Sequence, residues 1–255
     1  MDSLSTSNSA VEVDQAPDPG TAALPAHDDD ILFLLGADSV ERSTPVAASQ
    51  ISPADAPSQR ALDIIVAGGV LLLMLPLIAL CALAVRLSGA GPVIYRQTRI
   101  GRNGREFTCL KFRTMVCGAD AAIAALLQQS QETNDEWLAA HKIRNDPRVT
   151  RVGQFFRRYS LDELPQLFNV LAGHMSVVGP RPIVSAEIHR YGMKFADYCS
   201  VKPGLTGLWQ VSGRHALAYS VRVDLDSAYA RSKSLSADLL ILVRTVPVVL
   251  FGQNG

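Results

Sequence analysis

The sequence predicts an α+β protein: a mostly helical small cytosolic domain with a short β-hairpin, attached to an N-terminal re-entrant membrane helix and interfacial amphipathic helices. Three observations predict it. An uncharged run of 22 residues, Ile64 to Val85, carries Pro76 near its middle. Two alternating segments flank an Asn103-Gly104 pair, a strong hairpin signal. The chain beyond them is cut by Gly and Pro into short amphipathic pieces.

Residues 1–57 form an acidic tail rich in Asp, Ala, Ser and Pro, with one apolar island at Ile31 to Leu35. Such a composition offers too little apolar surface to offset the entropy of ordering, so it reads as disordered. Its acidic start, without a positive n-region before the distant apolar run, does not read as a secretory signal. The zero net charge hides an asymmetry. Residues 1–59 carry ten acidic residues against Arg42 alone, a balance of −9; the remaining 23 basic and 14 acidic residues give +9. A basic body favours anionic partners such as a nucleotide, a lipid phosphate or a headgroup. Nucleic acid is not expected, because no basic stripe interleaved with aromatics and no zinc-finger spacing is present.

Residues 58–88 form the membrane segment. Its 22 uncharged residues reach roughly 33 Å at the helical rise, enough for a bilayer core. Pro76 removes a backbone donor and is expected to break or kink the helix, and Gly68-Gly69 loosen it. Basic residues flank both ends, Arg60 and Arg86, so both ends suit the same face. A segment that enters and returns fits that symmetry; a straight span that tolerates its proline stays open.

Residues 89–255 form the third part. A hairpin is expected from Gly91 to Met115, a helix over 118–144 ended by Asn145-Asp146-Pro147, a basic amphipathic piece over 149–159, and a helix from Asp162 to Leu171 ended by Gly173. Asp238 to Phe251, interrupted by Arg244 and Pro247, is too short to span and is expected to lie in the interface or pack on the body. Four cysteines without CxxC spacing suit a reducing compartment. His174, His189 and His215 lack metal-ligand spacing. Trp209 and Tyr219 suit either a headgroup anchor or the core.

The chemistry concentrates in Arg157 to Pro182. Asp162 and Glu163 sit between an arginine pair and the Gly179-Pro180-Arg181-Pro182 loop. Ser160-x-x-Glu163 matches a capping box, and Asp162 is a second N-cap candidate; either places both carboxylates at a helix N-terminus, which favours their ionised form. An ionised carboxylate serves as a nucleophile or a metal ligand. Arg181, stiffened by two prolines, can meet phosphate oxygens in a bidentate fork, or be a plain turn arginine. Lys111 and Arg113, at the end of the hairpin, share a face if the strand continues through them; the alternative is a solvated edge.

The segments QTRIGRNGREFTCLKFRTM (97–115), NDPRVTRVG (145–153), RRYSLDELPQLFNVLAGHMSVVGPRP (157–182), VKPGLTGLWQVSGR (201–214) and RTVPVVL (244–250) together resemble the bacterial sugar transferases, over about residues 60–255. These are monotopic polyprenyl-phosphate phosphoglycosyl transferases, and the chain is similar to the short, exopolysaccharide-initiating members. The resemblance implies transfer of a hexose-1-phosphate, galactose or glucose, from a UDP-sugar to undecaprenyl phosphate with release of UMP. It implies Mg²⁺ as cofactor and a covalent phosphosugar–aspartate intermediate at the cytoplasmic face of the inner membrane. By motif position it implies Asp162 as nucleophile and Glu163 as its partner, both toward the metal, with Lys111, Arg113, Arg157 and Arg181 on phosphate. Pro76 matches the proline that breaks the family's re-entrant helix; here Leu75 precedes it, where some members carry serine. The partners implied are UDP-sugar, undecaprenyl phosphate and membrane lipid, and a homodimer is compatible. Two other readings remain: a non-catalytic membrane scaffold of a polysaccharide assembly complex, and a glycosyltransferase that releases UDP. The acidic tail is outside the resemblance and is read as a partner-binding or regulatory arm.

Overall fold

A computed structural model describes residues 57–119, 121–123, 127, 143, 146–213 and 217–251. The acidic tail and most of the expected 118–144 helix lie outside the described residues.

The apolar run becomes α1, Pro57–Leu87. Pro57 opens it, where a missing N–H costs nothing. Pro76 lies inside it and does not end it, so of the expected break or kink the break is absent: one lost hydrogen bond is carried by the intact turns around it. Among the described residues α1 is the one helix long and apolar enough to cross a membrane.

Both ends of α1 are fastened to the body. Near its start, Ala67 is fully buried in the main core with Leu167, Val170 and Ile241. Arg60 donates to the carbonyls of Val170 and Leu171 (2.7 and 2.6 Å). Asp63 accepts from Ser176 Oγ (2.7 Å) and the Val177 amide (2.8 Å), and Gln59 donates to Asp238. Near its end, Cys81 and Val85 pack on Phe112 and Phe156. Between these anchors Leu72 and Leu73 are 76% and 72% exposed.

The hairpin forms as expected. Strand β1 (Ile94–Ile100) pairs antiparallel with β2 (Glu106–Phe112), from Ile94↔Phe112 to Ile100↔Glu106. The turn needs left-handed backbone, and Asn103 (φ 59°) and Gly104 (φ 69°) supply it. The helix α2, Arg151–Arg158, starts at Thr150, whose hydroxyl accepts from the Gly153 amide.

The expected 162–171 helix is split. A 3₁₀ turn covers Leu161–Glu163, and α3 covers Gln166–Leu171 behind Pro165. Neither expected N-cap operates. Ser160 is left-handed (φ 55°) with no side-chain cap, and Asp162 lies inside the 3₁₀ turn. Pro165 itself occupies the N-cap of α3, where no side-chain cap forms.

A second sheet, not expected from sequence, pairs β3 (Ser176–Val178) parallel to β4 (Gly204–Thr206). Three glycines let the chains meet beside it. A Cβ on Gly204 would lie 2.1 Å from the Gly179 amide nitrogen, and one on Gly207 2.1 Å from the Gly179 carbonyl oxygen. Short helices α4 (Ile188–Tyr191), α5 (Phe195–Ser200) and α6 (Leu208–Val211) lead to α7 (Tyr219–Ser232) and α8 (Leu235–Phe251). Helix α8 runs through Arg244 and Pro247, burying Ala237 and Ile241 while Val243 and Val246 face outward. Trp209 belongs to the core, and Tyr219 donates to Glu187, so neither is placed as a headgroup anchor. The fold is thus mixed, with small sheets and one long apolar helix at the start of the described chain.

Candidate active site

The hairpin and the 161–182 segment build one cleft. Cross-strand pairing places Gln97 opposite Cys109 and Tyr95 opposite Lys111, so Arg99, Cys109 and Lys111 share a hairpin face. The 3₁₀ turn brings Glu163 over that face, and β3 delivers Arg181 to it. Arg99, Lys111, Glu163, Gln166 and Arg181 line a small, open cleft. Its polar lining carries three cationic side chains, Arg99, Lys111 and Arg181, which suits an anionic group such as a phosphate.

Glu163 Oε1 accepts from both Lys111 Nζ (3.1 Å) and Arg181 Nη2 (2.9 Å). Burial pushes its carboxyl up, but the two cations outweigh burial and hold it well below the usual carboxylate range. Asp162 behaves oppositely. Burial and the neighbouring Glu163 charge raise it to about 6, against the opposing pull of Lys111, Arg181 and Arg157. The helix begins after both carboxylates, so their neighbours rather than its N-terminus set the difference between them. Pairs of carboxylates with divergent pKa values are what acid, base and nucleophile assignments rest on.

Of the other expected residues, Arg157 falls within electrostatic reach of Asp162, and its Nε donates to Thr114 Oγ1 (3.0 Å). Arg113 is not brought to the cleft. Strand β2 stops at Phe112, and the Arg113 guanidinium turns to the carbonyls of Val85 (3.1 Å), Gly89 (2.8 Å) and Ala90 at the end of α1. Pro76 lies on the exposed stretch of α1, away from the cleft-lining residues. Arg99 was missed in the sequence. Its signal is strand alternation, which puts it on the face of Lys111.

A metal fits this site in one way. Among the described residues no three His, Cys, Asp or Glu side chains gather to cage an ion. Mg²⁺, however, is commonly held by one or two carboxylates together with substrate phosphates. Asp162 and Glu163 supply such a pair, both contacts on Glu163 fall on Oε1, and the cleft beside them is cationic.

The chain is similar to known proteins over most of its length. The sequence profile of a family described as bacterial sugar transferase matches residues 54–252. The chain is 44% identical over 211 residues to the exopolysaccharide production protein ExoY of Rhizobium meliloti (strain 1021), covering 83% of this chain and 93% of that one. It is 47% identical over 192 residues to the undecaprenyl-phosphate galactose phosphotransferase of Salmonella typhimurium, covering 75% of this chain but only 40% of that longer protein. It is 41% identical over 205 residues to a UDP-glucose:undecaprenyl-phosphate glucose-1-phosphate transferase of Caulobacter vibrioides, covering 77% and 71%.

Proposed function

This chain belongs to the bacterial sugar transferase family, and from that premise we propose that it transfers a hexose-1-phosphate from a UDP-sugar to undecaprenyl phosphate, releasing UMP, as a first step of exopolysaccharide synthesis. The carrying observation is the charged cluster at the cleft: Asp162 adjoins Glu163, whose Oε1 accepts from Lys111 and Arg181.

In this reading the Asp162 carboxylate attacks the β-phosphorus of the UDP-sugar. The bond to the bridging oxygen breaks, UMP leaves, and an aspartyl phosphosugar remains. A phosphate oxygen of undecaprenyl phosphate then attacks the same phosphorus, giving the lipid diphosphosugar and freeing Asp162. Arg181, Lys111, Arg99 and Arg157 supply cationic donors where negative charge builds. Mg²⁺ bound through Asp162 or Glu163 and the diphosphate would neutralise charge on the leaving UMP. Two displacements suit one soluble and one lipid substrate, because the two need not share the cleft.

The protein is read as docked on the cytoplasmic face of the inner membrane. Supporting a re-entrant α1 is the attachment of both its ends to one body, with the apolar middle facing outward. The acidic tail is then a cytoplasmic arm, and residues 58–88 and 89–255 are the anchor and the catalytic domain.

The test is the nucleotide product. Purified protein in nanodiscs with Mg²⁺ and UDP-galactose or UDP-glucose is expected to release one UMP per site without undecaprenyl phosphate and to release it repeatedly with it. The faster donor identifies the sugar. UDP as product would replace this reading with simple glycosyl transfer, and no nucleotide product with an intact fold would favour the scaffold.

A further inference from the structure

Beyond the cleft, one carboxylate outside it organises the loop that carries Arg181. Glu187 follows that loop in a 3₁₀ turn, Ser185–Glu187. Its Oε2 accepts from the Val184 amide (3.0 Å), and its Oε1 accepts from the Tyr219 hydroxyl (3.1 Å). Two arginines from distant elements converge on it: Arg99 of β1 at 3.9 Å from Oε2, and Arg222 of α7 at 3.6 Å from Oε1. Each arginine also grips the loop backbone. Arg222 Nη2 donates to the Arg181 carbonyl (3.2 Å), and Arg99 Nη1 donates to the Pro182 carbonyl (2.8 Å).

The two arginines are held hard. Arg222 is 7% exposed and lies over the rings of Trp209 (4.9 Å) and Tyr219 (5.1 Å). Asp226, bonded by Tyr191, lies 3.6 Å from its Nε. Arg99 is fixed from behind by Gln97, which accepts from its Nε and Nη2 (3.1 and 2.6 Å). The guanidinium charges of Arg99, Arg181 and Arg222 are near enough to repel one another. A buried like-charge group of this kind persists only with a counter-charge at its centre. Glu163 provides it on the cleft side, and Glu187 provides it behind.

We propose that Glu187 is the positioning residue of the transfer site: through Arg99 and Arg222 it clamps two successive carbonyls of the 181–182 loop and so fixes the Arg181 guanidinium against Glu163. This rests on the phosphate-handling role proposed for Arg181. A displacement of about 1 Å in such a group can cost roughly 10²-fold in rate.

The experiment is a double-mutant cycle on the full chain in nanodiscs. It combines Glu187→Gln and Arg181→Ala and reads both UMP release and inorganic pyrophosphate binding by calorimetry. Glu187→Gln keeps the shape and removes the charge: its single amide oxygen still accepts from the Val184 amide, and the Tyr219 hydroxyl can turn to accept from its NH2 group. It is expected to lower kcat about 10- to 100-fold with the KM for undecaprenyl phosphate unchanged. It should also weaken pyrophosphate binding at least fivefold, and add less than twofold to either loss once Arg181 is alanine. Asp224→Asn, on the same helix as Arg222, breaks an exposed pair with Lys194 and should change neither. Wild-type rates and binding in Glu187→Gln would overturn the inference, as would a loss fully additive with Arg181→Ala. The two readouts separate failures. If the wild type binds pyrophosphate but releases no UMP, the transferase reading falls while the binding cycle still decides the role of Glu187. If it binds no pyrophosphate, the clamp has no phosphate site to serve and the inference falls. A Glu187→Gln protein that fails to fold is replaced by Arg222→Lys, which keeps the charge but loses the fork. It is then expected to show the same losses, and wild-type behaviour there overturns the clamp.

Discussion

At Asp162, burial and the Glu163 charge lift the pKa to about 6, and this makes the group testable by pH. As a nucleophile it must be ionised, so kcat/KM for the UDP-sugar is expected to fall about tenfold per unit below pH 6. Arg181→Ala removes a charge that favours the ionised form, so the break in that profile should move up while the maximal rate drops roughly 10²–10³-fold. Asp162→Asn should abolish turnover, by about 10³-fold or more. Its stability should move the other way. The folded carboxyl keeps its proton to about pH 6, whereas the unfolded one releases it near 3.8. The charged form therefore costs folding energy above pH 6, and the penalty fades as pH falls toward 4. At pH 7.5 the asparagine variant is expected to unfold at higher denaturant, a gain of about 1–3 kcal/mol. A lower midpoint would contradict the burial argument. Much of this was legible in the sequence: Asp162, Glu163, Lys111, Arg157 and Arg181 do gather. The unequal behaviour of the two carboxylates was not legible, because it depends on which of them Arg181 reaches. Arg113 was misread because alternation was extended one residue past the strand.

Among the elements, the glycine crossing between the 179–182 loop and β4 carries the sharpest expectation. Alanine at Gly204 or Gly207 forces backbone apart at contacts that would be 2.1 Å. A loss of about 2–3 kcal/mol is expected by denaturant midpoint, with Arg181-dependent activity falling alongside. The polar anchor of α1 is the second. Asp63→Ala leaves Ser176 and the Val177 amide without their acceptor, a cost of about 1–3 kcal/mol. The hairpin could be read from Asn103-Gly104 because that turn demands left-handed backbone. The parallel β3–β4 pair could not, since two three-residue strands have no period of their own and form only where tertiary contacts bring them together.

For the whole molecule, fastening both ends of α1 to one body predicts a topology. Single cysteines placed at Ser58 and Gly89, in a chain cleared of its native cysteines, should be labelled from the same side of a sealed vesicle, and one at Leu75 from neither. Labelling of the first two from opposite sides would establish a straight span instead. The length and apolar character of α1 were plain in its sequence; the anchoring was not, because Gln59, Arg60 and Asp63 read as ordinary polar flanks.

The bond from Gln59 to Asp238 joins residues 179 apart. At roughly 5–20 residues per second of synthesis, the partner that locks the start of α1 emerges about 10–35 s after it. For that interval the start of α1 lacks this lock, and its apolar middle is made before even its earlier anchors, Val170, Leu171 and Ser176. The nascent protein therefore needs lipid or a chaperone at the ribosome exit well before its transfer site exists, and the closing of α8 onto α1 is a late event in its assembly.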